Sequence, residues 1–494
     1  MYAIGYDIGS SSVKAALVVI ATGAVVTRQQ EPATEMSIAA PKPGWAEQDP
    51  AAWWTHLCTL TQRIITETGI EAGQIQSVGI SYQMHGLVLV DEQLEVVRPA
   101  IIWCDSRAIP YGDAAFERIG KNRCLAHCLN SPSNFTAAKW KWVQEKEPDN
   151  YAKTRYAMLP GDYISMRLSG QVNTTSTGLS EGVMWDFTAH EPASIVLQDM
   201  KLPADQLPPL VATVSPQAHV STAGADATGL PSGIPIGYRA GDQPNNALSL
   251  NVLEPGEVAA TAGTSGVVYG VTDRLVYDPQ QRINSFAHVN HRADQPRIGV
   301  LLCINGAGIL LRWLRQNLVE STFSYGDMEQ AAQQVPIGAE GLVFLPFGNG
   351  AERMLNNQQI GAQLAALDLN LHLRSHMIRA GIEGVAFAFV YGMQIMQELG
   401  VDLSRIRVGN DNLFQSSIFA ETVATLTGAT IEMHNTTGAV GAALAGAVGS
   451  GLIDNLREAT SQQEIVATIA PQIHKAPYVA AYQKWKHTLE KVMP

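Results

Sequence analysis

Basic residues are the scarce ones in this chain: 33 Lys and Arg stand against 45 Asp and Glu over 494 residues. A chain of net charge −12 without a broad basic face is not built to hold nucleic acid or an anionic membrane. Long apolar runs are missing too. No segment approaches the ~18 uninterrupted apolar residues of a membrane span, and the most apolar stretch, Gly438 to Gly449, is short and rich in Ala and Gly. The first residues lack the basic, apolar and small-residue order of a signal peptide, because Asp7 and three serines interrupt the opening apolar stretch. A soluble cytoplasmic protein is the expectation. Cysteine is sparse and odd in number: Cys58, Cys104, Cys124, Cys128 and Cys303. Cys124 and Cys128 fall one helical turn apart, yet no His–Cys set completes four ligands at zinc spacing, so they read as reduced structural thiols. Two nucleotide signatures are absent as well. There is no Gly-x4-Gly-Lys-[Ser/Thr], and no Gly-x-Gly-x-x-Gly follows a strand of a βαβ unit, so neither a P-loop nor a nicotinamide enzyme is supported.

What is present is enough apolar content, 46%, to bury a large core in two domains or three. The opening segment Tyr2-Ala-Ile-Gly-Tyr-Asp7-Ile-Gly9-Ser10-Ser11-Ser12-Val-Lys14 is an apolar strand, an acidic residue, a Gly/Ser turn, a lysine and a second apolar strand. Strands are predicted over 3–8, 13–20 and 24–28, then a helix from Ala51 to Thr68 after a Pro/Gly-rich loop. Val78 to Tyr82 reads as a buried strand ending in Gln83-Met84-His85-Gly86, with further strands over Leu87–Val90 and Ala100–Trp103. Residues 110–200 read as mostly helical and 203–235 as loop with strand-like pieces; Ile236–Ala240 then leads into Gly241-Asp242-Gln243. The opening design recurs at Val258-Ala-Ala-Thr261-Ala-Gly263-Thr264-Ser265-Gly266-Val-Val-Tyr, which places the start of a second domain near residue 247. That domain continues with a strand over Ile298–Cys303 and helices over Gly308–Asn317 and Ser375–Leu399. A strand over Arg405–Val408, a helix over Ser416–Thr427 and a buried small-residue helix over Gly438–Val448 follow.

Two Gly/hydroxyl turns, one per domain, fit phosphates clamped from both sides of a cleft. Phosphoryl transfer needs little covalent help from protein: it needs donor and acceptor held in line, and charge stabilised by Mg²⁺ and N–H donors. Asp7 suits a Mg²⁺ role, reached through water because Mg²⁺ keeps part of its shell. Asp242, at a strand end, could accept a proton from an attacking hydroxyl; it could equally be a turn Asp bonding its own backbone, and the residues alone leave both readings open. The first turn, taken alone, is equally compatible with an ordinary hairpin.

Taken together, the blocks are more specific. Asp7-Ile-Gly-Ser-Ser, Gly44-Trp45-Ala-Glu47-Gln48-Asp49-Pro50, Gln83-Met84-His85-Gly86 and Trp103-Cys-Asp105-Ser-Arg107 occur in that order. Lys139-Trp-Lys-Trp142, Gly241-Asp242-Gln243, Gly263-Thr264-Ser265-Gly266 and Arg379-Ala-Gly-Ile-Glu383-Gly384 follow them. This collinear set, over about residues 2–450, resembles the FGGY carbohydrate kinases of the actin and hexokinase ATPase superfamily; the Gln-Met-His-Gly block is similar to that of the xylulokinases among them. The resemblance implies an α/β fold of two actin-like (ribonuclease H-like) ATPase domains flanking a central cleft. Residues 1–246 would form the sugar-binding domain, with the first phosphate loop and the catalytic Asp, and 247–494 the ATP-binding domain. It implies ATP-dependent phosphorylation of the C5 hydroxyl of D-xylulose, another ketose or polyol such as ribulose or glycerol being the alternative acceptor. A non-catalytic, actin-like nucleotide-binding protein is the remaining alternative.

The implied site set is Asp242 as general base and Asp7 for the Mg²⁺ of Mg-ATP. Ser10, Ser11, Ser12, Lys14, Gly263, Thr264, Ser265, Gly409, Asn410 and Asn412 would contact ATP, and Gln83, Met84, His85, Asp105 and Gln243 the sugar. The Trp103-x-Asp105-x-Arg107 element could also be a salt-bridged loop. The implied partners are a ketopentose and ATP, with no nucleic acid and no membrane; a homodimer is left open. The chain departs from the family pattern in three places. Gln243 stands where xylulokinases usually have Asn, Gly409-Asn410-Asp411-Asn412 replaces a run of glycines in the adenosine loop, and the segment at Ala366-Leu367 lacks the usual glycine.

Overall fold

The computed structural model describes residues 1–319, 323–410 and 412–493, so Asp411 of the segment expected to meet adenosine lies outside it. The chain divides into two compact units. The first comprises Met1–Leu253, Phe286–Ile298 and Thr436–Gln463; the second comprises Glu254–Ser285, Gly299–Asn435 and Glu464–Pro494. Among the described residues no helix is long and apolar enough to cross a membrane.

The first unit is built on β1 (Tyr2–Ile8), β2 (Val13–Val19), β3 (Val25–Glu31), β4 (Ile75–Tyr82), β5 (Val214–His219) and β6 (Pro235–Gly241), in the order β5-β6-β4-β1-β2-β3. The serine turn makes β1 and β2 an antiparallel hairpin with Asp7 opposite Lys14, while β1, β4 and β6 run parallel. The period-2 alternation of β1 sends Ile4, Tyr6 and Ile8 to one face, where they share a core with Trp53, Leu57, Leu60 and Ile64 of the helix Pro50–Thr68. That helix starts where it does because Asp49 accepts the Ala51 N–H and Pro50 occupies the first turn. Gly69 at φ 66° ends it.

The opposite face of the sheet takes the helix Gly438–Gly449, which packs on β1, β4 and β6. Backbone meets backbone here. A Cβ placed on Gly5 would stand 2.0 Å from the Ala439 carbonyl oxygen, one on Gly79 1.8 Å from that of Ala442, and one on Gly237 2.1 Å from that of Gly446. Gly5 and Gly79 are register partners, so these glycines line a groove across adjacent strands. The Ala/Gly composition of the helix answers that groove.

The second unit repeats the plan. Six of the seven strands of its sheet are β9 (Ile298–Ile304), β8 (Gly266–Thr272), β7 (Val258–Ala262), β10 (Arg405–Gly409), β11 (Thr430–His434) and β12 (Ile465–Ile469), in that spatial order, and the edge strand Asn284–Ala287 lies next to β9. Again the Gly/Thr/Ser turn closes an antiparallel hairpin, β7–β8, and β7, β10 and β11 are parallel. The long helix Arg374–Glu398 is buried along most of its length, with Phe389 packed edge-on against Phe414 and Phe419.

Boundaries differ modestly from the sequence reading. β3 extends to Glu31, the strands after His85 shrink to Val88–Val90 and Ala100–Ile101, and residues 203–235 contain the helix Thr222–Thr228. Its signals are local: Ser221 accepts the Gly224 N–H at 3.1 Å, and Gly229 closes the helix at φ 82°. Ala366 adopts φ 60°, which explains why a glycine suits the position that departs from the family pattern.

Candidate active site

In the first unit the three parallel strands β1, β4 and β6 end together: Ile8 is paired with Tyr82, and Tyr82 with Gly241. The chain leaves them as the Gly9–Ser12 turn, as Gln83-Met84-His85 and as Asp242-Gln243. Ligand chemistry in parallel α/β sheets collects at such carboxyl ends, because the loops there carry the side chains that the sheet itself cannot present. The fold therefore brings Asp7, the serine turn, the Gln-Met-His block and Asp242 to one edge.

The first turn is closed by the Gly9 N–H donating to the Ser12 carbonyl at 3.1 Å. Ser11 and Lys14 are exposed and Ser12 is buried. Ser10 is tied down twice, its carbonyl accepting from Gln48 Nε2 at 2.6 Å and its hydroxyl from the exposed Trp103 Nε1 at 3.3 Å. Asp7 accepts the Ser81 hydroxyl on Oδ1 at 3.0 Å. Its Oδ2 faces Gly438, where a Cβ would stand 3.1 Å from it, and the Gly438 carbonyl accepts from Asn245 Nδ2 at 2.9 Å. The first residue of the buried helix is thus placed against the Asp7 carboxylate, and its glycine leaves the space beside that carboxylate open.

Gln83 continues the β1–β4 pairing, its N–H donating to the Ile8 carbonyl at 2.8 Å, and its side-chain amide donates to Gln48 Oε1 at 3.2 Å. Met84 is buried and packs against Gly241, where a Cβ would stand 2.5 Å from Met84 Cγ. His85 sits at φ 63°, a left-handed conformation held from two sides. Lys139 Nζ donates to its carbonyl at 2.7 Å, and its Nδ1 lies 2.8 Å from the Glu181 carbonyl. A carbonyl only accepts, so Nδ1 carries the hydrogen and Nε2 of the neutral ring is an acceptor. Phe135 and Phe286 pack on the imidazole at centroid distances of 4.6 and 5.3 Å.

Asp105 lies deeper. Its Oδ2 accepts the Ala46 N–H at 2.6 Å and both Nε and Nη2 of Arg107, and its Oδ1 accepts the Arg107 N–H. Arg107 also pairs with Glu47 at 2.7 Å and stacks over Trp45, 3.7 Å from the ring centroid. Arg98 completes the group by pairing with Glu47 and Glu147. Trp142 packs edge-on against Trp45 and lies under the Arg107 guanidinium, 4.9 Å from its ring centroid, so side chains of the Gly44–Glu47, Trp103–Arg107 and Lys139–Trp142 blocks meet around Arg107.

Asp242 is the first residue of the helix Asp242–Ser249 and is half-buried. Burial first, and the neighbouring Asp7 carboxylate second, push its carboxyl up to about 7, against hydrogen bonds from Gln243. Burial also raises Asp7, with Lys14 and Ser81 opposing. Lys139 moves the other way, burial lowering its amine to about 7 against the pull of Asp105.

Sequence reasoning did not single out Glu181. It is buried at the end of the helix Ser176–Glu181, and its Oε2 is 2.2 Å from where a Cβ on Gly241 would stand. Burial and then Asp242 push its carboxyl well above the usual range, toward the neutral form, beside the half-buried Asp242. The signal available was an acid flanked by Leu179, Gly182, Val183 and Met184 in an otherwise apolar stretch.

In the second unit, β7 and β10 run parallel in register, with Val258 opposite Ile406 and Ala260 opposite Val408. The turn after β7 and the loop after β10 therefore lie at one sheet edge. Gly263, Thr264 and Ser265 are exposed, and Gly266 is buried against Phe389. The Gly263 and Thr264 carbonyls accept from Gly308 and Ile309, at 3.0 and 3.1 Å. After Gly409, the Asn410 N–H donates to the His434 carbonyl at 3.1 Å, and the Asn410 carbonyl accepts from Gln415 Nε2 at 2.6 Å. Asn412 donates to the Gly409 carbonyl and accepts the Phe414 N–H. Asn412 thus fastens the loop after β10 through its side-chain amide, while Asn410 is held through its backbone.

Comparison with known proteins identifies the family. The chain is 29% identical over 477 residues to a xylulose kinase of Bacillus subtilis, covering 93% of this chain and 91% of that one. It is 27% identical to an L-xylulose/3-keto-L-gulonate kinase of Escherichia coli, over 99% of this chain and 96% of the relative. The crystal structure of a xylulose kinase from Rhodospirillum rubrum superposes with a TM-score of 0.89 at 25% identity, over 100% of this chain and 99% of that one. The fold is thus the two-domain α/β fold of sugar kinases. Residues 2–249 match the N-terminal domain of the FGGY family of carbohydrate kinases and residues 258–450 its C-terminal domain. With nearly the whole length accounted for by those two domains, this chain belongs to the FGGY family of carbohydrate kinases.

Proposed function

We propose that the chain transfers the γ-phosphoryl group of ATP to the C5 hydroxyl of D-xylulose, giving D-xylulose 5-phosphate. The observation that carries this reading is the convergence of Asp7, Gln83–His85 and Asp242 at the ends of three parallel strands. Relatives named for xylulose support the acceptor. Residues 1–246 hold the sugar, the first phosphate turn and the base; residues 247–494 hold ATP, through Gly263–Ser265 and through Gly409, Asn410 and Asn412.

The primary alcohol at C5 is a weak nucleophile. As its oxygen bonds to the γ-phosphorus, its proton passes to an Asp242 carboxylate oxygen and the bond to the β–γ bridging oxygen breaks, releasing ADP. A base poised at about 7 takes up that proton without needing a free alkoxide. Glu181 beside it has its carboxyl pushed toward the neutral form by burial and by Asp242, which limits negative charge where the phosphate oxygens must come. His85 Nε2 and the Gln243 amide meet sugar hydroxyls, and Met84 covers the carbon face.

Among the described residues no group of three or more acidic, His or Cys side chains is placed to hold a metal. Asp7, half-buried with its Oδ2 beside Gly438, fits the alternative arrangement, a Mg²⁺ held through one carboxylate, water and the phosphates of ATP. When bound, the cation neutralises phosphate charge. The E. coli relative that acts on L-xylulose and 3-keto-L-gulonate matches nearly the whole chain, and with Gln243 it favours a second reading, a kinase for a related ketose.

A coupled ADP-release screen over D-xylulose, L-xylulose, ribulose, other ketoses, polyols and glycerol tests the acceptor. The expected result is the highest kcat/KM with D-xylulose. A higher value for any other acceptor overturns that assignment.

A further inference from the structure

Glu352 lies in the second unit, outside every block discussed so far. It is fully buried, and both carboxylate oxygens are used: Oε2 accepts the Asn305 N–H at 3.0 Å and Oε1 the Gly306 N–H at 2.7 Å. Its backbone is fixed, since its N–H donates to the Gln358 carbonyl and its carbonyl accepts from Leu355 and Asn357. Around the same loop, Asn305 Nδ2 donates to the Ala351 carbonyl at 2.7 Å and Asn349 Nδ2 to the Asn305 carbonyl at 3.2 Å. Gly306 is pressed onto the Pro346–Phe347 backbone, where a Cβ would stand 2.2 Å from the Pro346 oxygen.

The loop clamped in this way runs straight into the helix Gly308–Asn317, whose first two N–H groups hold the Gly263 and Thr264 carbonyls. Gly308 is close enough that a Cβ on it would stand 2.3 Å from the Gly263 oxygen. The chain of contact is short and continuous: Glu352 carboxylate, Asn305 and Gly306 N–H groups, Gly308 and Ile309 N–H groups, Gly263–Thr264 turn. A buried carboxylate spent on two successive backbone donors, when neutral loop geometry would need none, fixes the loop against rotation.

We infer that Glu352 is a positioning residue for ATP, its carboxylate setting the Gly263–Ser265 turn in place through Asn305, Gly306 and the start of the helix Gly308–Asn317. The inference rests on the reading of that turn as a phosphate loop. Glu352 touches no reactant itself. Glu352→Gln keeps the side-chain volume but offers one oxygen and an NH₂ that opposes an N–H, so one of the two clamps is lost.

The test is a steady-state comparison of ATP and sugar kinetics, with thermal unfolding of each variant alongside. Glu352→Gln is expected to raise the KM for ATP about tenfold, the scale of one lost buried hydrogen bond, with the KM for sugar changed by less than about twofold. Gly308→Ala, which pushes on the Gly263 carbonyl by another route, is expected to give the same split and decides the matter if Glu352→Gln does not fold. Equal rises in both KM values, or unchanged KM values in a folded variant, overturn the inference. Thr264→Ala separates the two layers. If it leaves the KM for ATP unchanged, the phosphate-loop reading falls and this inference with it; if it raises that KM while Glu352→Gln and Gly308→Ala do not, only the role of Glu352 falls.

Discussion

The groove formed by Gly5, Gly79 and Gly237 makes Gly79→Ala an informative single-methyl perturbation. The new Cβ would stand 1.8 Å from the Ala442 oxygen and 2.6 Å from its carbonyl carbon, whereas real Cβ contacts essentially never fall below 3.0 Å. The helix Gly438–Gly449 must then retreat by more than an ångström, and its own glycines meet strand backbone too: a Cβ on Gly446 would lie 2.7 Å from the Val78 oxygen. Overpacking a tight core costs about 1–3 kcal/mol, more when the obstacle is backbone. Against that, replacing a strand glycine returns about 0.5–1 kcal/mol through the unfolded chain. The net expectation is a loss of about 2 kcal/mol, or a drop in Tm of several degrees for a unit of this size. The retreat also moves Gly438 away from Asp7 and slackens the Asn245 Nδ2 bond to the Gly438 carbonyl, so kcat should fall along with stability. Differential scanning calorimetry and the ADP-release assay read the two effects. A variant with parental Tm and parental kcat would show that the helix does not position the site.

Other expectations follow from the same geometry. Asp242 acts as a base only when ionised, so with a carboxyl pushed up to about 7, kcat/KM should rise with pH through that region and level off above it. Because Lys139 is lowered into the same range, Lys139→Met should keep the rising limb, and its disappearance in that variant would reassign it. His85→Ala should raise the KM for sugar about tenfold or more with little change for ATP, the loss of a buried polar contact being worth about 1–3 kcal/mol; a defect confined to ATP would place His85 outside the sugar pocket. Ala366→Gly should raise stability by about 0.5–1 kcal/mol, because a non-glycine residue at φ 60° is strained, and urea unfolding would detect it.

How far this was legible in the sequence depended on range. The Gly/Ser turn after Asp7 and the Gly/Thr/Ser turn after Ala262 announce themselves locally, as turn residues between alternating apolar strands, and both hairpins are present. Asp242 stood out as an acid at the end of an apolar strand. The run Gly438–Val448 read as a buried helix packed through small residues, but its counterpart, glycines on three strands from distant parts of the chain, could not be read from local pattern. Glu181 was missed for the same reason: its importance is proximity to Asp242, and proximity between residues so far apart in sequence is a property of strand order. Asp105 was left between two readings. Its carboxylate takes four donors inside the ion-paired cluster, a degree of satisfaction that only the packed neighbours Ala46 and Arg107 reveal.

The central claim is that Asp242 is the proton acceptor in phosphoryl transfer. Asp242→Ala, compared with the parent for D-xylulose-dependent ADP release and, by calorimetric titration, for ATP binding, tests it most directly. The account predicts a loss of turnover of about 10²–10⁴-fold with ATP affinity largely retained. Turnover near the parental rate would contradict it.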